Sequence, residues 1–319
     1  MNETNESNSV HIPVLLRETV ELLQPRPGGV YIDGTLGGGG HTEALFRESD
    51  RQTGAVATVI SMDRDLSAID RTEKRLRTAF GIAPDDRGFS IRFVHANYKY
   101  FDEVLDLLGI EKADGMLLDL GLSSDQLADR DRGFGFDSPG PLDLRFDDTE
   151  GETAAELLQR LKEREIADVI YRYGEEKYSR RIARRIVESR ESDMPIQTAE
   201  ELAELVRSCV PKQWKTRDKN NRSVSIDPAT RTFQALRIAV NDELGSLEEV
   251  LKKAPDRIRP GGVTAIISFH SLEDRIVKNA FRDDLRWEII TKRPIVASEE
   301  EVGRNPRSRS AKLRAARIR

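Results

Sequence analysis

Residues 33–46 combine a carboxylate, four consecutive glycines and a helical segment in an order that could bind a ligand. A short apolar run ends at Asp33, residues 37–40 are all glycine, and residues 42–46 have the composition of a helix. This order predicts a strand, a tight turn and a helix N-terminus, as in nucleotide-type cofactor sites. Glycine lets such a ligand approach the backbone N–H groups, because no Cβ stands in the way. A glycine loop without a ligand is the weaker alternative, since four adjacent glycines are costly to order.

The spacing within the turn distinguishes between two classes of cofactor site. When G-x-G-x-x-G is read from Gly37, Thr42 occupies the last position, and the acid at Asp33 precedes the turn. The dinucleotide fingerprint is therefore not met. An acid followed by glycines at alternate positions, here Gly37 and Gly39, is instead the pattern of S-adenosylmethionine-dependent methyltransferases.

Two further acids end predicted strands. Asp63 follows the apolar run 57–62, where a carboxylate can accept hydrogen bonds from both ribose hydroxyls of a nucleoside. A helix N-cap is the alternative for Asp63, although Asp65 could fill that role equally well. Asp119 follows the apolar run 116–118, so we expect it to face the crevice at the carboxyl ends of the strands. A buried, helix-capping role is the alternative for Asp119.

The composition fits a protein with two domains and excludes several classes. A chain of 319 residues exceeds what one hydrophobic core usually organises, and 34% charged residues suit a well-solvated surface. No apolar run is long enough to span a membrane, and we do not expect the polar segment at the start of this sequence to act as a signal peptide. The single cysteine, Cys209, excludes an internal disulfide and fits a reducing cytoplasm, and the four histidines lack metal-ligand spacing.

The charge distribution leaves nucleic-acid binding open. The net charge of −5 argues against a protein that coats nucleic acid indiscriminately, whereas residues 304–319 contain seven basic residues and no acid. This segment predicts either a phosphate contact surface or a solvated basic tail, and composition alone does not favour one of them.

Hydrophobic periodicity predicts an α/β fold with a doubly wound parallel sheet and an inserted helical domain. Strands alternate with helices through the fourth strand, and buried-looking strands in β-α repeats are typical of a parallel sheet. Helical patterns then replace the alternation, with capping boxes that begin at Thr153 and Thr198. We expect residues 1–140 and 228–319 to form the cofactor-binding domain and residues 141–227 to form an inserted helical domain for substrate recognition.

Three further segments have well-defined patterns. Residues 176–190 place apolar side chains on one side of a predicted helix and a dense set of arginines on the other. Residues 232–250 are predicted to form one helix. Residues 287–291 and 312–318 are predicted to close the sheet as an antiparallel hairpin.

Eight separated segments form recognisable motifs. They are HIPVLLRE (11–18), DGTLGGGGH (33–41), DLGLSSDQL (119–127), RGFGF (132–136), PLDLR (141–145), FQALRI (233–238), SFHSLEDR (268–275) and NPRSRSAKLR (305–314). Together they closely resemble the MraW/RsmH family, the 16S ribosomal RNA cytosine-N4 methyltransferases. The resemblance extends from His11 to the C-terminus, and so many motifs in the same order make it highly specific. The predicted parallel core with a final hairpin also matches the Rossmann-like class I methyltransferase plan.

The resemblance implies S-adenosylmethionine as the methyl donor and a cytidine in the decoding region of 16S ribosomal RNA as the acceptor. The cofactor contacts that it implies are Gly39, Gly40, His41, Asp63, Tyr98, Asp119 and Gln126. Tyr98 stands where the family often has phenylalanine, and its flat ring could still stack on adenine. Asp125 stands where proline is commoner in the family, which loosens that turn but leaves Gln126 in place.

Candidates for catalysis and substrate binding follow from the proposed acceptor. The cytosine amino lone pair is delocalised into the ring, so a carboxylate that accepts its N–H would favour a more reactive nitrogen. Asp119 is the candidate, and its contact with the cofactor is the competing role. Phe134, Phe136 or Phe269 could stack on the base, with core packing as the alternative for each ring. His270 could bind the cytosine edge or the RNA backbone, and Asp143 and Arg145 could bind the incoming nucleotide. A structural histidine and an internal ion pair are the respective alternatives.

Two other classes share parts of this pattern. A nicotinamide-dependent oxidoreductase has the same type of sheet but requires the dinucleotide spacing, and a non-catalytic RNA-binding assembly factor would not need the acids at 33, 63 and 119. The expected partner is 16S ribosomal RNA within the small subunit or its precursor, without a membrane. A homodimer is a further expectation. No metal is expected, and the expected location is the cytoplasm.

Overall fold

The computed structural model describes residues 12–50, 56–83, 90–211, 216–217, 223–224 and 227–319. They form two units. The first contains the described residues up to Ser123 and from Leu244 onward, and the second runs from Ser124 to Glu243. The second unit is therefore wider at both ends than the insertion at 141–227 that the sequence predicts. His11, the first residue of the HIPVLLRE motif, lies outside the described residues.

The first unit contains a seven-stranded sheet. Its strands are β1 (Val30–Asp33), β2 (Thr58–Asp63), β3 (Ile91–His95), β4 (Ala113–Asp119), β5 (Ile258–Ser268), β6 (Trp287–Ile289) and β7 (Lys312–Ile318). The spatial order is β3-β2-β1-β4-β5-β7-β6. The first five strands in that order are parallel, whereas β7 is antiparallel to both β5 and β6. The predicted doubly wound sheet with an antiparallel closure is therefore confirmed.

Helices make up most of the remaining described structure. The α-helices are α1 (Leu16–Leu23), α2 (Gly40–Asp50), α3 (Leu66–Phe80), α4 (Phe101–Leu107), α5 (Ser124–Ala128), α6 (Ala154–Arg160), α7 (Glu163–Gly174), α8 (Ser179–Glu191), α9 (Ala199–Cys209), α10 (Ala229–Asn241), α11 (Glu243–Arg257), α12 (Ser271–Asp283) and α13 (Glu299–Arg304). Two 3-10 helices, Tyr98–Tyr100 and Pro306–Ser310, follow β3 and α13. None of the helices within the described ranges combines the length and the hydropathy that a membrane crossing needs.

The sheet is buried on both faces, which explains the nearly continuous apolar runs of its strands. Successive side chains of a strand point to opposite faces. Along β4, Met116 and Leu118 belong to one buried cluster and Leu117 belongs to the other. Residues of α4, α11 and α12 complete the first cluster, and residues of α1, α2 and α3 complete the second. Helices on both faces leave the carboxyl edge of the parallel strands as the place for a site.

The second unit contains α5 to α10 and a two-stranded ribbon, Thr216–Arg217 with Ser223–Val224. Both predicted capping boxes are present. The backbone N–H of Glu156 donates to Thr153 Oγ1 at 3.2 Å, and that of Thr153 donates back to the Glu156 carboxylate at 2.9 Å. The same exchange starts α9. The short ribbon departs from the predicted all-helical insertion.

The prediction of one helix over 232–250 is wrong. α10 ends at Asn241 and α11 begins at Glu243, with Asp242 between them at a φ of 48°. The Asp242 N–H donates to the Ile238 carbonyl, so the residue closes α10 in the left-handed conformation that Asp tolerates better than most residues. The boundary between the two units falls beside this break.

Within residues 304–319, Lys312–Ile318 form β7 of the sheet, so the solvated-tail interpretation is wrong for this strand. Arg314 is 8% exposed and donates to Asp274 at 2.7 Å, and Lys312 lies 3.1 Å from the other oxygen of the same carboxylate. These cations are neutralised within the first unit by α12.

Candidate functional site

The glycine turn lies between β1 and α2, at the carboxyl edge of the sheet. Gly37 and Gly39 have positive φ angles of 46° and 73°. A Cβ at Gly39 would lie 2.4 Å from Cγ2 of Thr72, and a Cβ at Gly40 would lie 2.8 Å from Cγ of Pro13. The turn is therefore enclosed by α3 and by the segment before α1, and any side chain at these two positions must displace a neighbour.

Gly39→Ala is expected to destabilise the protein by about 2–4 kcal/mol, because it adds left-handed backbone strain and overpacking against Thr72. Gly81→Ala is the matched control: Gly81 has a φ of 66°, but its added Cβ would meet nothing within 4 Å. The loss of stability in Gly81→Ala should be limited to about 1–2 kcal/mol. The double variant Gly39→Ala/Thr72→Ser tests the overpacking separately. It removes Cγ2 of Thr72, which the added Cβ would meet, and keeps the hydroxyl that donates to the Gly37 carbonyl. Urea unfolding measures all three variants, and equal losses at Gly39 and Gly81 would contradict the constraint.

Asp33, at the end of β1, is fully buried and is held by the turn itself. Its Oδ2 accepts a hydrogen bond from Thr42 Oγ1 at 2.7 Å, and its Oδ1 accepts from the Thr35 N–H at 3.2 Å. Burial raises the pKa of the Asp33 carboxyl, and these hydrogen bonds act against that rise. Asp33 ties the end of β1 to the first turn of α2, so it positions the turn.

Asp63, at the end of β2, reaches back to the glycine turn. Its Oδ2 accepts from the Gly37 N–H at 2.8 Å, and its Oδ1 accepts from the Asp65 N–H at 2.9 Å. Burial raises the pKa of Asp63 to about 6 although these hydrogen bonds favour the ionised form. The N-cap of α3 is Asp65, which accepts from the Ala68 N–H, so the capping alternative for Asp63 is wrong. Its remaining lone pairs are suited to hydroxyl donors.

Asp119, at the end of β4, has a buried carboxyl oxygen, Oδ1, that accepts no hydrogen bond from the described part of the chain. Its other oxygen, Oδ2, lies 3.6 Å from Nδ1 of His41. The Asp119 backbone N–H donates to Oγ1 of Thr35 at 2.6 Å, which fixes the strand end against the turn. Burial, followed by the negative charge of Asp33, raises the pKa of Asp119 to about 8. A buried acceptor without a partner costs free energy, so this oxygen is suited to a ligand that donates to it.

His41, in the first turn of α2, is 5% exposed. Its Nε2 lies 3.1 Å from the carbonyl oxygen of Val14, in the segment that leads to α1. Burial lowers the pKa of His41 to about 4, so the imidazole is neutral at physiological pH. The structure thus brings His41 and Asp119, which are far apart in sequence, into one contact.

Tyr98 and His270 complete the predicted set in the first unit. Tyr98 lies beside the turn, since a Cβ at Gly34 would be 2.9 Å from the Tyr98 Cβ. His270 caps α12: its Nδ1 accepts from the Glu273 N–H at 3.4 Å, and its Nε2 lies 3.2 Å from Glu273 Oε1. The structural alternative for His270 is therefore present, and its contact with substrate stays a prediction.

The other four predicted residues lie in the second unit. Gln126, in α5, is 7% exposed. Phe136 packs edge-on against Phe233, with ring centroids 5.0 Å apart. Arg145 forms a two-pronged ion pair with Asp143, with both N–O distances 2.8 Å. The internal ion pair that the sequence left open is present, and the ligand roles of these four residues stay predictions.

Two residues that the sequence assigned to no role act on Asp119. Arg307 lowers the pKa of Asp119, whereas Glu273 raises it. Arg307 belongs to the NPRSRSAKLR motif and Glu273 to SFHSLEDR, so motif membership was the available signal. It did not indicate which group these residues would influence.

The arrangement suits a nucleoside that carries a positive charge. Asp119, at the end of β4, has a carboxyl oxygen without a partner among the described residues, and Asp63, at the end of β2, has lone pairs to spare. Both strands are neighbours of β1, so the two acids flank the strand that leads into the glycine turn. Within the described residues, no group of three or more His, Cys, Asp or Glu side chains is arranged to hold a metal ion. A cationic nucleoside cofactor is thus the ligand that these residues fit best.

Comparison with known proteins gives a consistent match over nearly the whole chain. Residues 8–319 match the MraW methylase family. The chain is 48% identical to the ribosomal RNA small subunit methyltransferase H of Rhodopirellula baltica, over 98% of this chain and 93% of that protein. It is 47% identical to the protein of the same name from Sorangium cellulosum, over 96% and 90%. A crystal structure of an rRNA methylase from Streptococcus thermophilus matches with a TM-score of 0.42 and 10% identity over 95% of this chain and 93% of that chain.

Proposed function

The chain belongs to the MraW methylase family, and on that basis we propose that it methylates the exocyclic N4 amino group of a cytidine in the decoding region of 16S ribosomal RNA. It is a methyltransferase that uses S-adenosylmethionine as donor and small-subunit ribosomal RNA as substrate. The nucleotide and the atom are the proposed part. The observation that supports an amino group as the acceptor is the buried carboxyl of Asp119 at the end of β4, whose Oδ1 accepts no hydrogen bond within the described residues.

The residues around the glycine turn fit S-adenosylmethionine. The carboxyl of Asp119 can face a cation, and Asp63 keeps lone pairs for the ribose hydroxyls. Tyr98 lies beside the turn and offers a ring for the adenine. α2 begins at Gly40, so the positive end of its dipole is directed at the turn, where a carboxylate would be stabilised. When bound, the cofactor supplies a methyl group activated by its sulfonium.

Asp119 is the proposed catalytic residue. The lone pair of the cytosine amino group is delocalised into the ring, which makes the nitrogen a poor nucleophile. An ionised Asp119 that accepts one amino N–H opposes this delocalisation. Asp119 takes the proton of this amino group as the bond between the nitrogen and the methyl carbon forms. Holding the carboxylate at the end of β4, beside the turn, also fixes the direction of approach.

We assign recognition of the RNA to the second unit, because α8 exposes a stripe of arginines. The buried face of α8, with Ile182, Ala183 and Ile186, packs within the unit against α7 and α9. The exposed face carries Arg180, Arg181, Arg184 and Arg185. Like charges one helical turn apart destabilise a helix by about 0.2–0.5 kcal/mol per pair, so a stripe of this kind favours binding to phosphates. Arg184 lies 3.9 Å from Glu163 and Arg185 lies 3.0 Å from Glu188, so we assign the phosphate contacts first to Arg180 and Arg181. Phe136, Asp143, Arg145 and His270 remain the proposed contacts to the nucleotide.

The nucleotide and the atom can be tested together. Protein is incubated with S-adenosylmethionine carrying a radioactive methyl group and with small subunits from cells that lack the enzyme, and the RNA is then digested to nucleosides. The label is expected in N4-methylated cytidine. Subunits from cells that contain the enzyme are the matched control and should accept little label, since their site is already methylated. Label on another atom or another nucleoside would contradict the proposal.

Membership of this family argues against both the oxidoreductase and the non-catalytic assembly factor. A homodimer and a cytoplasmic location remain predictions. Sedimentation equilibrium of the purified protein would measure the first, and cell fractionation the second.

A further inference from the structure

His41 is held as a single tautomer. Its Nε2 lies 3.1 Å from the Val14 carbonyl oxygen, and because a carbonyl can only accept, Nε2 carries the hydrogen. The pKa of about 4 leaves the ring uncharged at neutral pH, so its second nitrogen, Nδ1, presents a lone pair. That lone pair faces Asp119.

Asp119 and His41 are therefore two acceptors in contact unless a proton lies between them. Oδ2 of Asp119 is 3.6 Å from Nδ1 of His41, and both side chains are largely buried. An ionised Asp119 would place its negative charge against the Nδ1 lone pair in a site shielded from water. A proton on Oδ2 makes the contact attractive, because the acid then directs its hydrogen at Nδ1. The contact is slightly longer than a hydrogen bond, and its geometry favours one proton on the pair.

The charged groups around Asp119 favour that proton. Asp33, on β1, and Glu273, on α12, raise the pKa of Asp119, and Arg307 in the 3-10 helix Pro306–Ser310 lowers it. Asp63, on β2, interacts electrostatically with Asp33. Burial and the surrounding acids outweigh the one arginine, which leaves the pKa of Asp119 at about 8.

We propose that the Asp119–His41 pair holds one proton in the cofactor-free protein and that the positive charge of S-adenosylmethionine expels it when the cofactor binds. The O–H bond of Asp119 breaks, its electron pair stays on the carboxylate, and the proton passes to solvent. The acceptor for the cytosine amino group is thus formed only when the methyl donor is in place. The inference rests on the proposed function, which gives Asp119 that acceptor role.

Calorimetry of cofactor binding, in two buffers that differ in ionisation enthalpy, counts the protons released. At about pH 6.5 the full-length protein is expected to release about one proton for each S-adenosylmethionine bound, and the affinity should rise up to about tenfold per pH unit towards pH 8. A count near zero at about pH 6.5 would overturn the inference while leaving the methyltransferase assignment intact. Failure to bind the cofactor at all would instead contradict the proposed function.

The variant Asp119→Asn distinguishes protons released by the Asp119–His41 pair from protons that the cofactor itself exchanges. The asparagine amide can donate to Nδ1 of His41 in place of the acid hydrogen, but it cannot ionise. This variant should therefore release about one proton fewer than the wild-type protein at about pH 6.5. Equal counts for the two proteins would contradict the role of the pair.

Thermal unfolding of the cofactor-free protein gives a second readout that does not depend on binding. The pKa of Asp119 is raised in the folded state. Between about pH 4 and about pH 8, Asp119 is therefore ionised in the unfolded chain but still protonated in the folded protein. As the pH rises through this range, the wild-type protein should lose stability relative to Asp119→Asn, and the difference in Tm should stop growing above about pH 8. A difference in Tm that stays constant across the range would overturn the inference.

Discussion

Asp119→Ala should transfer methyl groups at least about 100-fold more slowly than the wild-type protein when cofactor and RNA are saturating. The substitution removes the buried carboxyl at the end of β4 whose Oδ1 has no partner among the described residues. Without Asp119, the cytosine amino lone pair stays delocalised in the ring and the proton of the forming bond loses its proposed acceptor. Single-turnover rates with pre-formed complexes measure this step apart from binding, and cofactor affinity is measured separately by calorimetry.

Asp65→Asn is the matched control for Asp119→Ala. Asp65 is a buried acid in the loop that follows β2, and it caps α3 by accepting from the Ala68 N–H. Asparagine is about as good an N-cap as aspartate, so this variant should keep both its stability and its rate. A rate for Asp119→Ala within a few-fold of that control would remove Asp119 from the chemistry and limit it to a structural role.

The sheet was predictable because its signals are local. A strand buried on both faces needs an apolar run. In the run that ends at Asp119, successive side chains of β4 pack alternately into the buried clusters on the two faces of the sheet. Capping boxes are equally local, since Thr153 and Glu156 lie within one helical turn, and both predicted boxes were found. Since parallel strands end at a common edge, the sequence alone places the acids at the strand ends along one edge of the sheet.

The contacts that define the site were not predictable, because they join residues distant in sequence. Val14 selects the tautomer of His41, and His41 faces Asp119 only after the sheet has formed. Arg307 acts on Asp119 from nearly two hundred positions away. Residue type alone is also ambiguous: the histidine at 270 could cap a helix or bind a ligand, and the structure has it capping α12.

The break between α10 and α11 illustrates a different limit. Apolar spacing continues through Asp242, so periodicity predicts one helix over 232–250. What ends α10 is a single residue in the left-handed conformation, next to the boundary between the two units. Backbone conformation at one polar residue leaves little trace in a hydrophobic pattern, and tertiary organisation decides it.

The double variant Arg180→Gln/Arg181→Gln should bind an RNA hairpin of the decoding region on the order of 30-fold more weakly than the wild-type protein at about 0.1 M salt. Both arginines are exposed on α8, one or two positions from its buried Ile182. Each lost phosphate contact lowers the dependence of log K on log salt by about 0.7–0.9, so the slope should fall by about 1.4–1.8. Filter binding across a range of salt concentrations measures both quantities.

Arg17→Gln/Arg282→Gln removes the same total charge from the first unit and is the matched control. Arg17 lies 2.6 Å from Glu21 and Arg282 lies 2.7 Å from Asp283, so both side chains are exposed members of local ion pairs. Exposed pairs contribute little to stability, and this control should fold normally and keep the wild-type salt slope. If both double variants weaken binding equally, net charge and not the α8 stripe attracts the RNA. If neither does, the RNA is bound elsewhere on the protein, because relief of like-charge repulsion leaves α8 intact.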